Sequence, residues 1–172
     1  ASSLWDDGDR QNVGAATWCL GEVGCTGTVE DNISLKGGQA GDLAGYQIIP
    51  IAGGDYVVLS PAWKNSDLAV GAATFRDGAQ AEAAVISPKN SVHGSRPSDF
   101  QSAAVIPLAS GNWVLIAPEW DAQDQEDVGA VAWMRRDTGG VGPLSTANAL
   151  TGARAGDGEL LWALELANGN YV

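Results

Sequence analysis

Val13–Trp18 reads VGAATW, Val70–Phe75 reads VGAATF and Val128–Trp133 reads VGAVAW, at offsets of 57 and 58 residues. Self-similarity at a fixed period of this size marks a chain built from one repeated supersecondary unit. Other landmarks keep the interval. SSLW ends at Trp5, SPAW at Trp63 and APEW at Trp120; SLKGGQAGD ends at Asp42, SVHGSRPSD at Asp99 and ALTGARAGD at Asp157. A further block reads IPIAGGDYV to Val57, IPLASGNWV to Val114 and LELANGNYV to Val172. The chain therefore divides into one repeat domain, 1–172, with approximate copies at 5–62, 63–119 and 120–172.

Each copy reads as four short strands. VGAATW alternates small and large residues and ends at a turn; a variable segment such as GTVEDNISL or AAVISPKNSV follows. YQIIPIA, AAVIPLA and LLWALELA are strand-like runs, each followed by Gly53-Gly54, Ser110-Gly111 or Asn168-Gly169. Such pairs suit a two-residue hairpin turn, whose central residues need positive φ. The last strand leaves that turn as DYVVLSP, NWVLIAP or NYV. The expected fold is all-β, with three four-stranded antiparallel units arranged like β-propeller blades. A β-trefoil, also built from three four-stranded copies, is the alternative. Three blades are too few to close a ring, so the propeller reading expects self-association or a place in a longer repeat chain.

Composition excludes several classes of function. Nine basic side chains stand against 21 acidic ones, a formal net charge of -12, which repels phosphate backbones and anionic lipid heads. Nucleic acid is excluded as a partner, and with no apolar run near the roughly 20 residues that span a bilayer, so is membrane insertion. Cys19 and Cys25 flank LGEVG, and a hairpin brings such a pair to disulfide distance across its mouth, which implies an oxidising compartment. The alternative is two reduced thiols at a hairpin end. C-x5-C is no zinc signature, and the chain has a single histidine.

GDYVVLSPAWKNSDLAVGAATFRDG, followed by NSVHG and a GNWV hairpin, resembles repeats of large bacterial surface proteins of the filamentous-haemagglutinin type. Their pattern has the form GNYVVxSPxW, then GAVTW, then NSLVG. There is a looser likeness to the integrin-type FG-GAP propeller repeat. The resemblance implies a secreted or cell-surface adhesin module, engaging a protein or glycan of a cell surface, and no catalytic residues. The chain departs from it in LEL around Glu165, in Phe75 where the sister copies carry Trp18 and Trp133, and in lacking the integrin-type calcium loop.

The residues that might carry chemistry have bland readings beside the functional ones. Trp5, Trp63 and Trp120 recur at one place, as packing between units requires, but a ring of equivalent tryptophans also stacks on sugars in propeller lectins. Trp162, whose counterparts are Gln47 and Ala104, is demanded by no repeat and is the leading candidate for a partner contact. Asp6, Asp7 and Asp9 form a DDGD loop that would hold calcium, the one cofactor considered, only with help from neighbouring carbonyls. Asp42, Asp99 and Asp157 are read as acceptors for the N–H groups of their own turns, and His93 as an exposed loop residue. No Ser-His-Asp set, P-loop or dinucleotide fingerprint occurs. The expectation is a non-enzymatic structural or adhesive module, with a carbohydrate-binding β-propeller lectin as the alternative.

Overall fold

The structure, a computed structural model, describes residues 1–29 and 33–172. All of its regular secondary structure is β. Grouped by the sheets they join and not by the copy boundaries above, unit one contains β1 (Ala15–Thr17) and β2 (Ser34–Lys36), with Ser2 bridged to Ala15. Unit two contains β3 (Gln47–Pro50), β4 (Tyr56–Ser60), the small hairpin β5 (Lys64–Asn65) and β6 (Leu68–Ala69), then β7 (Ala72–Arg76), β8 (Ala84–Val85) and β9 (Val92–His93). Unit three repeats this with β10 (Ala104–Pro107), β11 (Trp113–Ala117), β12 (Ala130–Met134), β13 (Gly142–Pro143) and β14 (Leu150–Thr151). A last hairpin, bridged between Glu165 and Tyr171, repeats the β3–β4 turn.

The antiparallel ladder within a unit follows the expected strands. In unit two β3 pairs β4, β4 pairs β7 and β7 pairs β9; in unit three β10, β11, β12 and β14 follow the same order. Pro50 and Pro107 stand on β3 and β10, the edge strands, where a missing N–H costs no ladder bond.

Two features differ from the sequence reading. The hairpin loops have three residues, not two: Ile51 N–H donates to Asp55 at 2.9 Å, Leu108 to Asn112 at 2.9 Å and Leu166 to Asn170 at 2.7 Å. Gly111 and Gly169 also donate back to Leu108 and Leu166, and both sit at positive φ, +85° and +82°. This is a turn closed by one left-handed residue, so a single glycine suffices and Ser110 and Asn168 keep ordinary φ.

The second difference concerns the segment that follows the VGAATF and VGAVAW strands, read above only as variable. In units two and three it carries a fifth strand that crosses to the preceding unit. β8 pairs in parallel with β2, Leu35 opposite Ala84, and β13 pairs in parallel with β9, Val92 opposite Gly142. Apart from the two-stranded β5–β6 hairpin, the sheets consequently contain three, five and four strands, not four antiparallel strands each. Ile86 and Leu144, just past these strands, are buried in the unit before them. Both segments are anchored alike: Ser87 N–H donates to Asn90 Oδ1 and Ser145 N–H to Asn148 Oδ1, each at 2.8 Å, while the amide nitrogens donate to Val85 and Pro143 carbonyls.

The core is correspondingly shared between units. Ala16, Leu35, Val58, Trp63 and Ile86 form one cluster at the first junction; Val57, Leu59, Val92, Phe100, Trp113, Trp120 and Leu144 belong to another at the second. The described strands close no barrel, so the threefold closure that a trefoil requires is absent from them.

Candidate functional site

The three aspartates that follow the glycine bend form the most regular polar feature of the molecule. Asp42 Oδ2 accepts from Gly38 and Gln39 N–H at 2.8 and 2.9 Å, Asp99 Oδ2 from Ser95 and Arg96 at 2.6 and 2.9 Å, and Asp157 Oδ2 from Ala153 and Arg154 at 2.8 and 2.9 Å. The second oxygen does something the sequence reading did not anticipate. Asp42 Oδ1 accepts from Lys64 N–H and Asp99 Oδ1 from Asp121 N–H, each at 3.2 Å, across the junction to the next unit. Burial pushes the Asp99 carboxyl above its usual range, against the pull of its three backbone donors. The exposed Asp157 is held below that range by the N–H groups of Ala153 and Arg154. These carboxylates fasten turns, and Asp42 and Asp99 also fasten one unit to the next.

Trp63 and Trp120 are 3% and 5% exposed, as the packing reading expects, and present little ring surface for a sugar to stack on. Trp63 lies 5.7 Å from the His93 ring. His93 itself is buried, not an exposed loop residue, because β9 turns it inward beneath Trp63; its Nδ1 bonds the Gly94 carbonyl at 2.6 Å. Trp5 is half-buried, with Lys36 Nζ 5.3 Å above its ring. Trp162 is 68% exposed, and the want of an aromatic at its counterparts Gln47 and Ala104 is the signal that singled it out.

The DDGD loop does not gather its carboxylates. Asp6 Oδ1 caps Asn12 N–H at 2.7 Å, and Asp7 pairs with Arg10 and lies 3.6 Å from Lys36 Nζ. Asp121 repeats the cap on Asp127 N–H at 2.9 Å. Among the described residues no three His, Cys, Asp or Glu side chains converge as a metal site, so the calcium reading of Asp6, Asp7 and Asp9 has no geometry behind it. Cys19 and Cys25 are joined, with an S–S distance of 2.07 Å.

Two of the clefts among the described residues lie where a partner could reach the repeat faces. One, of about 520 Å³, lies between units two and three and is lined by Arg96, Trp120, Asp121, Gln123, Ser145 and Thr146. The other, of about 690 Å³, lies under the last hairpin, with Trp133, Leu166 and Tyr171 among its walls.

Repetition of one interlocking β unit, with its recurrent residues in packing and turn fastening, defines a tandem β-repeat array. The chain belongs to the family described as a repeat of unknown function (DUF5650), whose model matches it three times, at residues 1–46, 50–103 and 107–159. No curated protein and no solved structure matches it.

Proposed function

We propose that the chain is a non-enzymatic structural and adhesive repeat module of a secreted or cell-surface bacterial protein, its units set as blades of an open, propeller-like arc. The observation that carries this reading is how the recurrent residues are used. Asp42, Asp99, Trp63 and Trp120 all serve contacts between or within units, leaving the variation between copies to exposed loops and to Trp162. The Cys19–Cys25 disulfide favours an oxidising compartment. The resemblance to filamentous-haemagglutinin-type repeats points the same way, toward a cell-surface protein or glycan as partner.

The lectin reading is kept for one specific reason. The cleft at Arg96, Asp121, Gln123, Ser145 and Thr146 offers both donors and acceptors to sugar hydroxyls beside the edge of Trp120. A glycan array probed with the labelled chain, beside a cell-binding assay, separates the two. Cell binding abolished by Trp162→Ala, with no glycan signal, supports the adhesive module. Submillimolar binding of a defined sugar that is lost in Asp121→Ala but kept in Trp162→Ala supports the lectin. Neither kind of binding overturns the adhesive reading.

A further inference from the structure

The two internal junctions are built on one plan, and among the side chains in which they differ, four gather at one place. Where the first junction has Gln39, Lys64, Ser66 and Pro88, the second has Arg96, Asp121, Gln123 and Thr146. All four residues of the second set line the cleft of about 520 Å³ between units two and three. Two other wall residues repeat: Trp120 matches Trp63 and Ser145 matches Ser87. Side chains that vary on a frame that repeats are where a scaffold carries a function of its own.

The frame does not need the charges that the second set brings. Gln39 Nε2 and Arg96 Nη2 make the same bond, to the carbonyls of Ser66 and Gln123, so a neutral amide serves the junction as well as a guanidinium. Nε and Nη1 of Arg96 have no acceptor among the described residues. Asp121 brings the opposite charge. Its Oδ1 caps Asp127 N–H at 2.9 Å, and its Oδ2 has no donor among the described residues. At the first junction the charge of Lys64 is satisfied internally, with Nζ 3.9 Å from Asp42 Oδ1 and donating to the Ala40 carbonyl at 2.5 Å. Arg96 and Asp121, both half-buried, line one cleft without forming an ion pair with each other.

Charge selects the ligand for such a cleft. An anion alone meets Asp121 and a chain of net charge -12, and a cation alone meets Arg96. A neutral polyol leaves both charges without a counter-charge. A molecule with a carboxylate and an ammonium group answers both, the carboxylate accepting from the guanidinium N–H groups that the junction leaves over and the ammonium donating to Asp121 Oδ2. Gln123 and Thr146 offer an amide and a hydroxyl to a polar substituent, and the Trp120 indole N–H is buried in the same wall without an acceptor among the described residues. We propose that the cleft at Arg96 and Asp121 binds a small zwitterion of the amino-acid type, its carboxylate against Arg96 and its ammonium against Asp121. This site stands without the adhesive reading and competes with the lectin reading for the same cleft.

NMR titration of the whole chain with L-glutamine, propionate and glucose, one at a time, tests this. L-Glutamine is expected to saturate with a Kd on the order of 1 mM and to move the Arg96 and Thr146 signals. Propionate, which has the carboxylate alone, and glucose, which has neither charge, are expected to bind at least about tenfold more weakly. Arg96→Gln puts the first junction's residue at the second and keeps an amide for the Gln123 carbonyl, while Asp121→Asn keeps an acceptor for Asp127 N–H. Both variants are expected to keep the wild-type near-ultraviolet spectrum and to bind L-glutamine about tenfold more weakly or worse. No saturation by L-glutamine, propionate or glucose bound as tightly as L-glutamine, or affinity unchanged in either variant overturns the proposal. Saturation by glucose and not by L-glutamine overturns it in favour of the lectin reading.

Discussion

Arg76 donates from Nη2 to the carbonyl of Glu82 across the same turn that Cys19 and Cys25 close covalently one unit earlier. In unit three the corresponding pair is Met134 and Gly140, where a Cβ on the glycine would fall 2.4 Å from the methionine sulfur. One crossing is thus held by a disulfide, by a charged side chain and by packing. The disulfide is therefore an addition to a turn that the fold makes without it. The Cys19→Ser, Cys25→Ser double variant is expected to keep its fold and lose about 2 kcal/mol, the entropy of closing so short a loop. Urea titration measures the loss, and thiol titration of unreduced, denatured wild type is expected to find no free thiol.

Asp99 and Asp157 make the same bend, but only Asp99 is buried at a completed junction. Replacing Asp99 by alanine strands three backbone N–H groups, two in its turn and one from Asp121, at an expected cost of about 3 kcal/mol. Asp157→Ala leaves its two turn donors facing water and is expected to cost clearly less. Denaturant midpoints of the two variants compare them; equal losses would remove the junction bond from the account.

The two carboxyls also respond to pH with opposite sign. Asp99, raised above 3.8, binds its proton more tightly folded than unfolded. Its contribution to stability is present below 3.8 and is lost as pH rises through its folded value. Asp157, lowered from 3.8, contributes above that value and loses the contribution as pH falls through its own folded midpoint. Carboxyl carbon NMR is expected to place the Asp99 midpoint above the ordinary aspartate range and that of Asp157 below it.

Gly71 sits at φ +75°, and a Cβ there would lie 2.4 Å from Phe100 Cβ and 3.0 Å from the Pro61 carbonyl. Gly169 has φ +82° with nothing within 4 Å. Gly71→Ala is expected to destabilise by at least about 2 kcal/mol, since strain and collision add, and Gly169→Ala by about 1 kcal/mol from backbone strain alone. Thermal unfolding of the two variants gives the ranking.

Trp63→Ala opens a cavity at the first junction and is expected to cost about 4 kcal/mol, while Trp162→Ala stays within about 0.5 kcal/mol. Acrylamide quenching of single-tryptophan variants is expected to reach Trp162 and not Trp63. Equal protection would place Trp162 in the core.

The period, the in-unit strands and the aspartate bends were legible because each occurs three times, and repetition separates structural positions from incidental ones. The crossing strands were not. AAVIS and VGPLS share little beyond one apolar residue and the following serine, and a two-residue strand leaves no alternation to read. The signal available was Ser87-x-x-Asn90 and Ser145-x-x-Asn148, eleven places after Phe75 and Trp133 come Ile86 and Leu144. His93 misled for a related reason. Its counterparts Lys36 and Thr151 are polar, and only the crossing strand and Trp63 above it make that position an interior one. The alanine before each glycine turn, Ala52, Ala109 or Ala167, carries no mark of belonging to the loop, so the loops were read one residue short.

The crossing strand also sets an order in time. The residue that covers Leu35 is Ala84, 49 places later in the chain, and the one that covers Val92 is Gly142, 50 places later. During synthesis, each unit emerges with its last strand bare and keeps that edge open until most of another unit has followed. Completion therefore travels from the amino end toward the carboxyl end, one unit behind the growing chain, and a pause of translation within a unit leaves the unit before it unfinished.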